Sequence, residues 1–327
     1  MTTDGPGGVP AQETTGRRRS RAVGRAGRAA HQASDSPNRR RGGADPIGAA
    51  PKSGQRRPGR AGRDLRAATL VGIILGILVI GSMVVWKPAF VVLAAAAILV
   101  AVWELSRALG EAGVRVPVMP ILLGSVLMIV AGYVGGPESL AVGLGLTAVA
   151  VVVWRLGEPG AGYLRDTTAG LFVAMYVPFL AGFATVLLRP EDGPWRVLSL
   201  LAVVVASDTG GYLAGVLMGR HPMAPTISPK KSWEGFAGSV LLGTLVGSAA
   251  VVVLLDGSWW AGVIFGLAGV VAATLGDLGE SMIKRDLGIK DMSDLLPGHG
   301  GLMDRLDSLL TTAPVAWVVL NTLVGVS

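Results

Sequence analysis

From about position 67 to the end, the chain is a succession of apolar runs, each close to the roughly 20 residues that a bilayer core requires. Such runs must satisfy their backbone hydrogen bonds internally, so they are expected to be helices. The spans predicted are 67–86, 88–103, 117–135, 138–154, 168–188, 195–218, 236–255, 259–276 and 306–326. The fold class that follows is an all-α integral membrane protein of about nine transmembrane helices. Composition agrees: 51% of residues are hydrophobic, only 16% are charged, and the mean hydropathy is +0.56.

The formal net charge of +7 is misleading for the membrane body, because residues 1–66 carry 15 Lys/Arg against 5 Asp/Glu. The remaining 261 residues hold 14 basic and 17 acidic side chains, a net of −3. Residues 1–66 lack any aromatic side chain and any sustained apolar periodicity, and are predicted to be a disordered basic tail. Its clusters, such as Arg17–Arg19 and Arg39–Arg41, suit an anionic leaflet at about 1 kcal/mol per charge. They also suit nonspecific contact with nucleic acid, or a solvated role in setting topology, and no specific nucleic-acid partner is expected. The membrane body divides into N-terminal helices, 67–190, and a C-terminal catalytic region, 191–327. With no cysteine present, disulfides, zinc–thiolate sites and thiol nucleophiles are excluded.

If the basic tail is cytoplasmic and the spans number nine, the loops at 104–116, 155–167, 219–235 and 277–305 are cytoplasmic too. They hold 11 of the 14 basic residues beyond the tail, and Lys87, Arg189 and Arg196 fall on the other side. This is the charge bias of a multi-pass membrane protein with its N-terminus and these loops in the cytoplasm, and the membrane expected is the plasma (inner) membrane. Glycines at four-residue spacing (Gly211, Gly215, Gly219; Gly243, Gly247; Gly262, Gly266) permit close helix contact, within one chain or across a homodimer.

Ionisable groups inside apolar spans are costly without a partner or a wet cavity. Asp208, in VVVASDTGGYLAG, is one, and capping a broken helix or pairing with an arginine is its plain structural alternative. Asp277 and Glu280 lie three apart and share a helix face. Carboxylates converging at headgroup level suit a hard divalent cation such as magnesium, which keeps waters and shares substrate phosphates. The loop 219–235 adds adjacent Lys230 and Lys231 in a proline-stiffened setting that suits phosphate.

The densest chemistry lies in SMIKRDLGIKDMSDLLPGHGGLMDRLD, residues 281–307. It gathers Lys284, Arg285, Lys290, His299 and Arg305 with Asp286, Asp291, Asp294, Asp304 and Asp307. The Pro-Gly-His-Gly-Gly run interrupts regular structure and allows a backbone to pass close to a bulky phosphate or base. Asp304 and Asp307 sit three apart at the start of the last helix, where acidic residues also occur for purely structural reasons.

The residues Ser281, Ile283, Lys284, Arg285, Lys290, Asp291, Ser293, Leu296, Pro297, His299, Gly300, Gly301, Leu302, Asp304, Arg305, Leu306 and Asp307 together resemble the signature of the phosphatidate cytidylyltransferases, or CDP-diacylglycerol synthases. The Asp208 segment, the block Ser228–Gly235 and the Gly276–Asp277 segment are similar to the same family, so the resemblance covers about 200–310. It implies magnesium-dependent transfer of CMP from CTP to phosphatidic acid, with a second cation an open addition. It further implies Asp208, Asp277 and Asp304 as ligands of the metal or its waters, and Lys230, Lys231, Lys284, Arg285, Lys290 and Arg305 as phosphate holders. Asp291, His299 and Asp307 would orient groups or exchange protons, His299 equally as a neutral hydrogen-bonding residue of the turn. A transporter explains the spans and Asp208 but not a charge cluster confined to loops on one side. A CTP-dependent lipid kinase shares the substrate logic and differs in releasing CDP.

Overall fold

The computed structural model describes residues 61–158, 160–295 and 300–325. The predicted tail therefore lies outside the described residues up to position 60. Its last six positions already belong to a helix, α1 (Ala61–Val85). Next come α2 (Lys87–Glu111), α3 (Val118–Leu156), α4 (Tyr163–Ala174), a five-residue π-helical turn (Met175–Phe179), α5 (Leu180–Leu188) and α6 (Gly193–Met218). A hairpin of β1 (Pro222–Ala224) and β2 (Ser228–Ser232) precedes α7 (Trp233–Leu254), α8 (Trp259–Asp286) and α9 (Met303–Leu323). Among the described residues, seven helical segments are long and apolar enough to cross a membrane: α2, α3, the continuous run Tyr163–Leu188, α6, α7, α8 and α9. Among the described residues the hairpin is the only departure from an all-α membrane protein.

Two places separate this count from the nine spans expected. The described part of α1 that is apolar, Gly72–Val85, is shorter than a full span. The predicted spans 117–135 and 138–154 form one continuous helical segment, α3, with a non-helical residue inside it, Gly136 at φ 79° and ψ −163°. That residue is followed by Pro137, which cannot donate to the preceding turn, and a positive φ is a conformation glycine adopts readily. The chain turns back there: a Cβ on Gly124 would collide with Thr147, and one on Gly143 would lie 3.1 Å from Met128 Cγ. Residues more than a dozen positions apart on a straight helix cannot meet in this way.

Side-chain to backbone ties sort the connections into two sets. In one, Lys87 Nζ donates to the carbonyl of Glu191 at 3.3 Å and also to that of Pro190, while Arg196 donates to Asp192 at 2.8 Å and to the carbonyl of Gly325. In the other, the Arg115 N–H donates to Asp166, Arg285 to the carbonyl of Ile227, and the Met303 N–H to Glu104. Lys87 and Arg196 sit at one end of the bundle, and the candidate chemistry sits at the other.

Helices α6 to α9 pack tightly around small residues. A Cβ on Gly247 would lie 2.7 Å from Gly266 Cα, one on Gly262 2.5 Å from Ser248 Cα, and one on Gly235 3.0 Å from the Gly211 carbonyl. The glycine faces noted in the sequence thus meet one another within the chain, letting backbones approach as in other membrane helix pairs. Large buried side chains, among them Phe265, Leu200, Met303 and Leu105, fill the remaining core. The hairpin replaces the loop expected at 219–235. Pro222 pairs with Ser232 and Ala224 with Ser228. Glu234 closes its base by accepting the N–H groups of Arg220 and His221 at 3.1 and 3.2 Å. Ser232 caps α7 by accepting the Gly235 N–H at 3.1 Å.

Candidate active site

A polar cleft opens where the hairpin leans on α6, α7 and α8. Asp208 and Tyr212 come from α6, Lys230 and Lys231 from β2, Phe236 and Ser239 from α7, and Thr274 and Asp277 from α8. Lys231 Nζ is 2.5 Å from Asp277 Oδ2, and Asp277 Oδ1 accepts from Ser281 Oγ at 3.3 Å. Asp208 lies within electrostatic reach of Asp277 and Asp307 and is countered by Lys231 and Arg305. The close approach at Gly211, Gly235 and Ser239 fixes the floor of the cleft: Ser239 Oγ donates to the Ser207 carbonyl at 2.6 Å.

The signature segment folds against this cleft on a second group of ion pairs. Helix α8 continues ten residues past the predicted end of its span, so Asp277, Glu280 and Lys284 fall on one helical face. Lys284 Nζ is 2.8 Å from Asp304 Oδ1 and 3.6 Å from Glu280 Oε1, and its side chain is 15% exposed. Asp304 Oδ2 accepts the N–H groups of Met292 at 2.9 Å and Gly301 at 2.8 Å. Glu280 is fully buried, with Asp307 within electrostatic reach. The Tyr176 hydroxyl, on the π-helical turn around Pro178, has no hydrogen-bond partner among the described residues and lies within reach of the charges of Glu280, Asp307 and Asp277.

The structure thus collects Asp208, Lys230, Lys231 and Asp277 in one cleft with Arg305 and Asp307 beside it, and uses the other expected residues differently. Asp304 does not line the cleft. Its Oδ1 accepts from Lys284 and its Oδ2 from two backbone N–H groups, so it ties the loop to α8. Lys284, expected on phosphate, is committed to Asp304 and Glu280. Arg285 is exposed and donates to Ile227 at 3.3 Å, and Lys290 is exposed. Asp291 faces a separate recess shared with Trp103 and Arg107. His299 lies outside the described residues, as do Leu296 and Pro297.

The residue that sequence reasoning passed over is Glu104. It sits on α2, beyond the end predicted for the second span, at 1% exposure. Its carboxylate accepts from Ser293 Oγ at 2.5 Å, the Leu302 N–H at 3.1 Å and the Met303 N–H at 2.8 Å. A signal was present: an acidic residue in the apolar stretch AVWELSRALG needs a partner.

The matches to known proteins agree with this geometry. Residues 66–323 match the family model described as the cytidylyltransferase family. The chain belongs to the cytidylyltransferase family. A phosphatidate cytidylyltransferase of Mycobacterium tuberculosis (strain H37Rv) is 45% identical over 277 residues, 81% of this chain and 84% of the relative. A phosphatidate cytidylyltransferase of Mycobacterium leprae is 45% identical over 280 residues, 81% of this chain and 90% of the relative. One from Arabidopsis thaliana, named phosphatidate cytidylyltransferase 4, chloroplastic, is 37% identical over 204 residues, 54% of this chain and 50% of the relative. The family match takes in α2 and therefore Glu104, as well as the cleft residues of this cytidylyltransferase. Chemically the cleft offers adjacent lysines to an anion and two carboxylates to a cation. Among the described residues no three His, Asp or Glu side chains converge closely enough to hold a metal ion by themselves.

Proposed function

We propose that the chain transfers CMP from CTP to phosphatidic acid, forming CDP-diacylglycerol and pyrophosphate for phospholipid synthesis. The observation that carries this reading is the meeting of Lys230 and Lys231 with Asp208 and Asp277 in one cleft of a membrane protein. The 45% identity to proteins named phosphatidate cytidylyltransferase supports it.

In this reading an oxygen of the phosphatidate phosphate attacks the α-phosphorus of CTP, the bond to the β-phosphate oxygen breaks, and pyrophosphate leaves. The attacking group is already an oxyanion near neutral pH, so no nucleophilic side chain is required. Lys230 and Lys231 hold the triphosphate and draw charge toward the leaving group, and Arg305 acts on the same side. The Lys284–Asp304 pair keeps the Gly300–Gly301 turn in place, so that two anionic substrates meet in line.

Asp208 and Asp277 are the residues that would hold magnesium. The donor set fits a partial shell, since magnesium takes oxygen ligands and completes its octahedron with water and substrate phosphates. When bound, the ion supplies charge neutralisation on the phosphates.

The finer topology belongs to the same proposal. Counting the two halves of α3 separately and α1 as a span makes nine crossings. We read the end rich in basic residues as the cytoplasmic face of a plasma membrane, with the N-terminus on the same side.

The experiment is pyrophosphate release by purified protein in mixed micelles. Release that needs CTP, phosphatidic acid and magnesium together, with CDP-diacylglycerol in the lipid extract, upholds the proposal. Folded protein that releases CDP, or turns over no CTP, refutes it.

A further inference from the structure

The described residues of the loop between α8 and α9 form no helix or strand, and the loop carries the start of α9. The first N–H groups of any helix have no partner within that helix. In α9 the N-terminal residues Leu302 and Met303 supply no side-chain cap. A carboxylate from another helix takes that place: Glu104 of α2 accepts the Leu302 and Met303 N–H groups and the hydroxyl of Ser293. Negative charge at this position also complements the partial positive charge of the helix start.

Gly301 lies between the two carboxylates that organise the turn. A Cβ placed on it would be 2.9 Å from Glu104 Oε2, 2.9 Å from Asp304 Oδ2 and 3.1 Å from the Ser293 N. The six donors bound by Glu104 and Asp304 come from Lys284, Met292, Ser293, Gly301, Leu302 and Met303, so the pair spans both sides of the turn. Glu104 is buried, whereas its helical neighbours Arg107 and Glu111 form an exposed ion pair at 3.1 Å. A solvated topology residue would not be sequestered in this way.

We infer that Glu104 is a positioning residue for the transfer reaction: from α2 it sets the register of the Gly300–Asp304 turn, and with it the Lys284–Asp304 pair, against the cleft. Helix α2 is thereby part of the catalytic unit and not only of the membrane anchor. The inference rests on the proposed cytidylyl transfer for its kinetic arm but not for its structural one. Replacing the carboxylate by an amide keeps the shape and turns one acceptor into a donor facing N–H groups, which leaves buried donors unpaired.

The test compares wild type, Glu104→Gln and Ser293→Ala in detergent. It reads kcat and KM for CTP and for phosphatidic acid per folded molecule, the melting temperature, and the rate of tryptic cleavage after Lys290. For Glu104→Gln the expected result is a fall in kcat of about 100-fold, the scale of a 1 Å misplacement, with KM changed much less. Cleavage after Lys290 should be faster, and the melting temperature lower, because buried N–H donors lose an acceptor. Ser293→Ala, which removes one of three donors, should lower kcat several-fold, and combining the two should cost little beyond Glu104→Gln alone. Wild-type kcat in folded Glu104→Gln overturns the inference, as does a loss of activity matched by an equal loss of folded protein. If Glu104→Gln does not fold, Ser293→Ala decides by itself, and unchanged kcat and cleavage there overturn the inference. If the wild type shows no transfer at all, the proposed function fails while the cleavage rates still decide the role of Glu104 in the loop.

Discussion

Lys231 Nζ stands 2.5 Å from Asp277 Oδ2, joining the end of β2 to α8 across the cleft. Under the proposed function the contact pairs a lysine assigned to phosphate with a carboxylate assigned to the metal ion, and each side chain holds the other in place. Such preorganisation is the usual source of electrostatic catalysis.

Removing either partner should cost far more turnover than stability. Lys231→Ala and Asp277→Asn are each expected to lower kcat/KM by about 100-fold or more, and the double variant should lose less than the product of the two. Steady-state assays with CTP and phosphatidic acid, normalised to folded protein, check this; strictly multiplicative losses would break the link.

The crowding at Gly301 predicts an intolerant position. Gly301→Ala places a methyl group 2.9 Å from both Glu104 Oε2 and Asp304 Oδ2, so one carboxylate must move. Turnover should fall at least about tenfold, in line with the sensitivity of catalysis to small displacements. Activity within twofold of wild type would show that the turn is looser than its contacts imply.

Two glycines of α8 should respond in opposite ways. A Cβ on Gly276 would lie 2.5 Å from the Asp307 carbonyl, whereas nothing lies within 4 Å of one on Gly279. Gly276→Ala is expected to separate α8 from α9 and lower both melting temperature and activity. Gly279→Ala should be neutral or slightly stabilising, by up to about 1 kcal/mol from helix propensity. Thermal unfolding in detergent of the two variants reads the difference.

Arg155 and Asp166 form a buried ion pair at 2.8 Å, with side chains 1% and 0% exposed. Asp166→Ala removes the buried partner of Arg155 and leaves the guanidinium with Glu158, 3.2 Å away, and breaking a buried pair in this way typically costs up to about 3 kcal/mol. The residue is away from the cleft, so the expected outcome is a lower melting temperature with kcat per folded molecule within about twofold of wild type. A loss of kcat at unchanged melting temperature would contradict that separation.

Deleting residues 1–60 should leave kcat and KM within about twofold of the full chain, the tolerance usual for changes without shared partners, because the cleft and its support are built from residue 104 onward. An inactive but folded truncation would show that the tail takes part in catalysis.

Much of this organisation was readable from local pattern. Hydropathy placed α6, α7 and α9 within a few residues, as for α6, where 195–218 was expected and Gly193–Met218 is found, whereas α8 runs ten residues past its expected end. Charge density singled out the 281–307 segment, and Asp208 stood out because a carboxylate in an apolar span demands a reason. Other features were hidden because they depend on contacts between distant parts of the chain. The second span was expected to end at 103, which left Glu104 looking like a loop residue; α2 runs on to Glu111, and only packing against α9 reveals its acceptor role. Asp304 and Asp277 look alike in sequence, each acidic and each near a helix end. Their environments differ, one accepting from Lys284 and two N–H groups, the other lining the cleft beside Lys231.

By itself the sequence determined that this chain is a helical membrane protein, which family it resembles, and which segments carry its charge. Those properties follow from hydrophobic length and from residue identity along the chain. Tertiary structure alone decided which carboxylates face the cleft, that the glycine faces close within one chain, that α3 turns back at Gly136, and that α2 reaches across to support the signature turn. The reason is physical: hydrogen bonds and ion pairs act over a few ångströms in space, and the residues that make them here lie up to 199 positions apart in sequence.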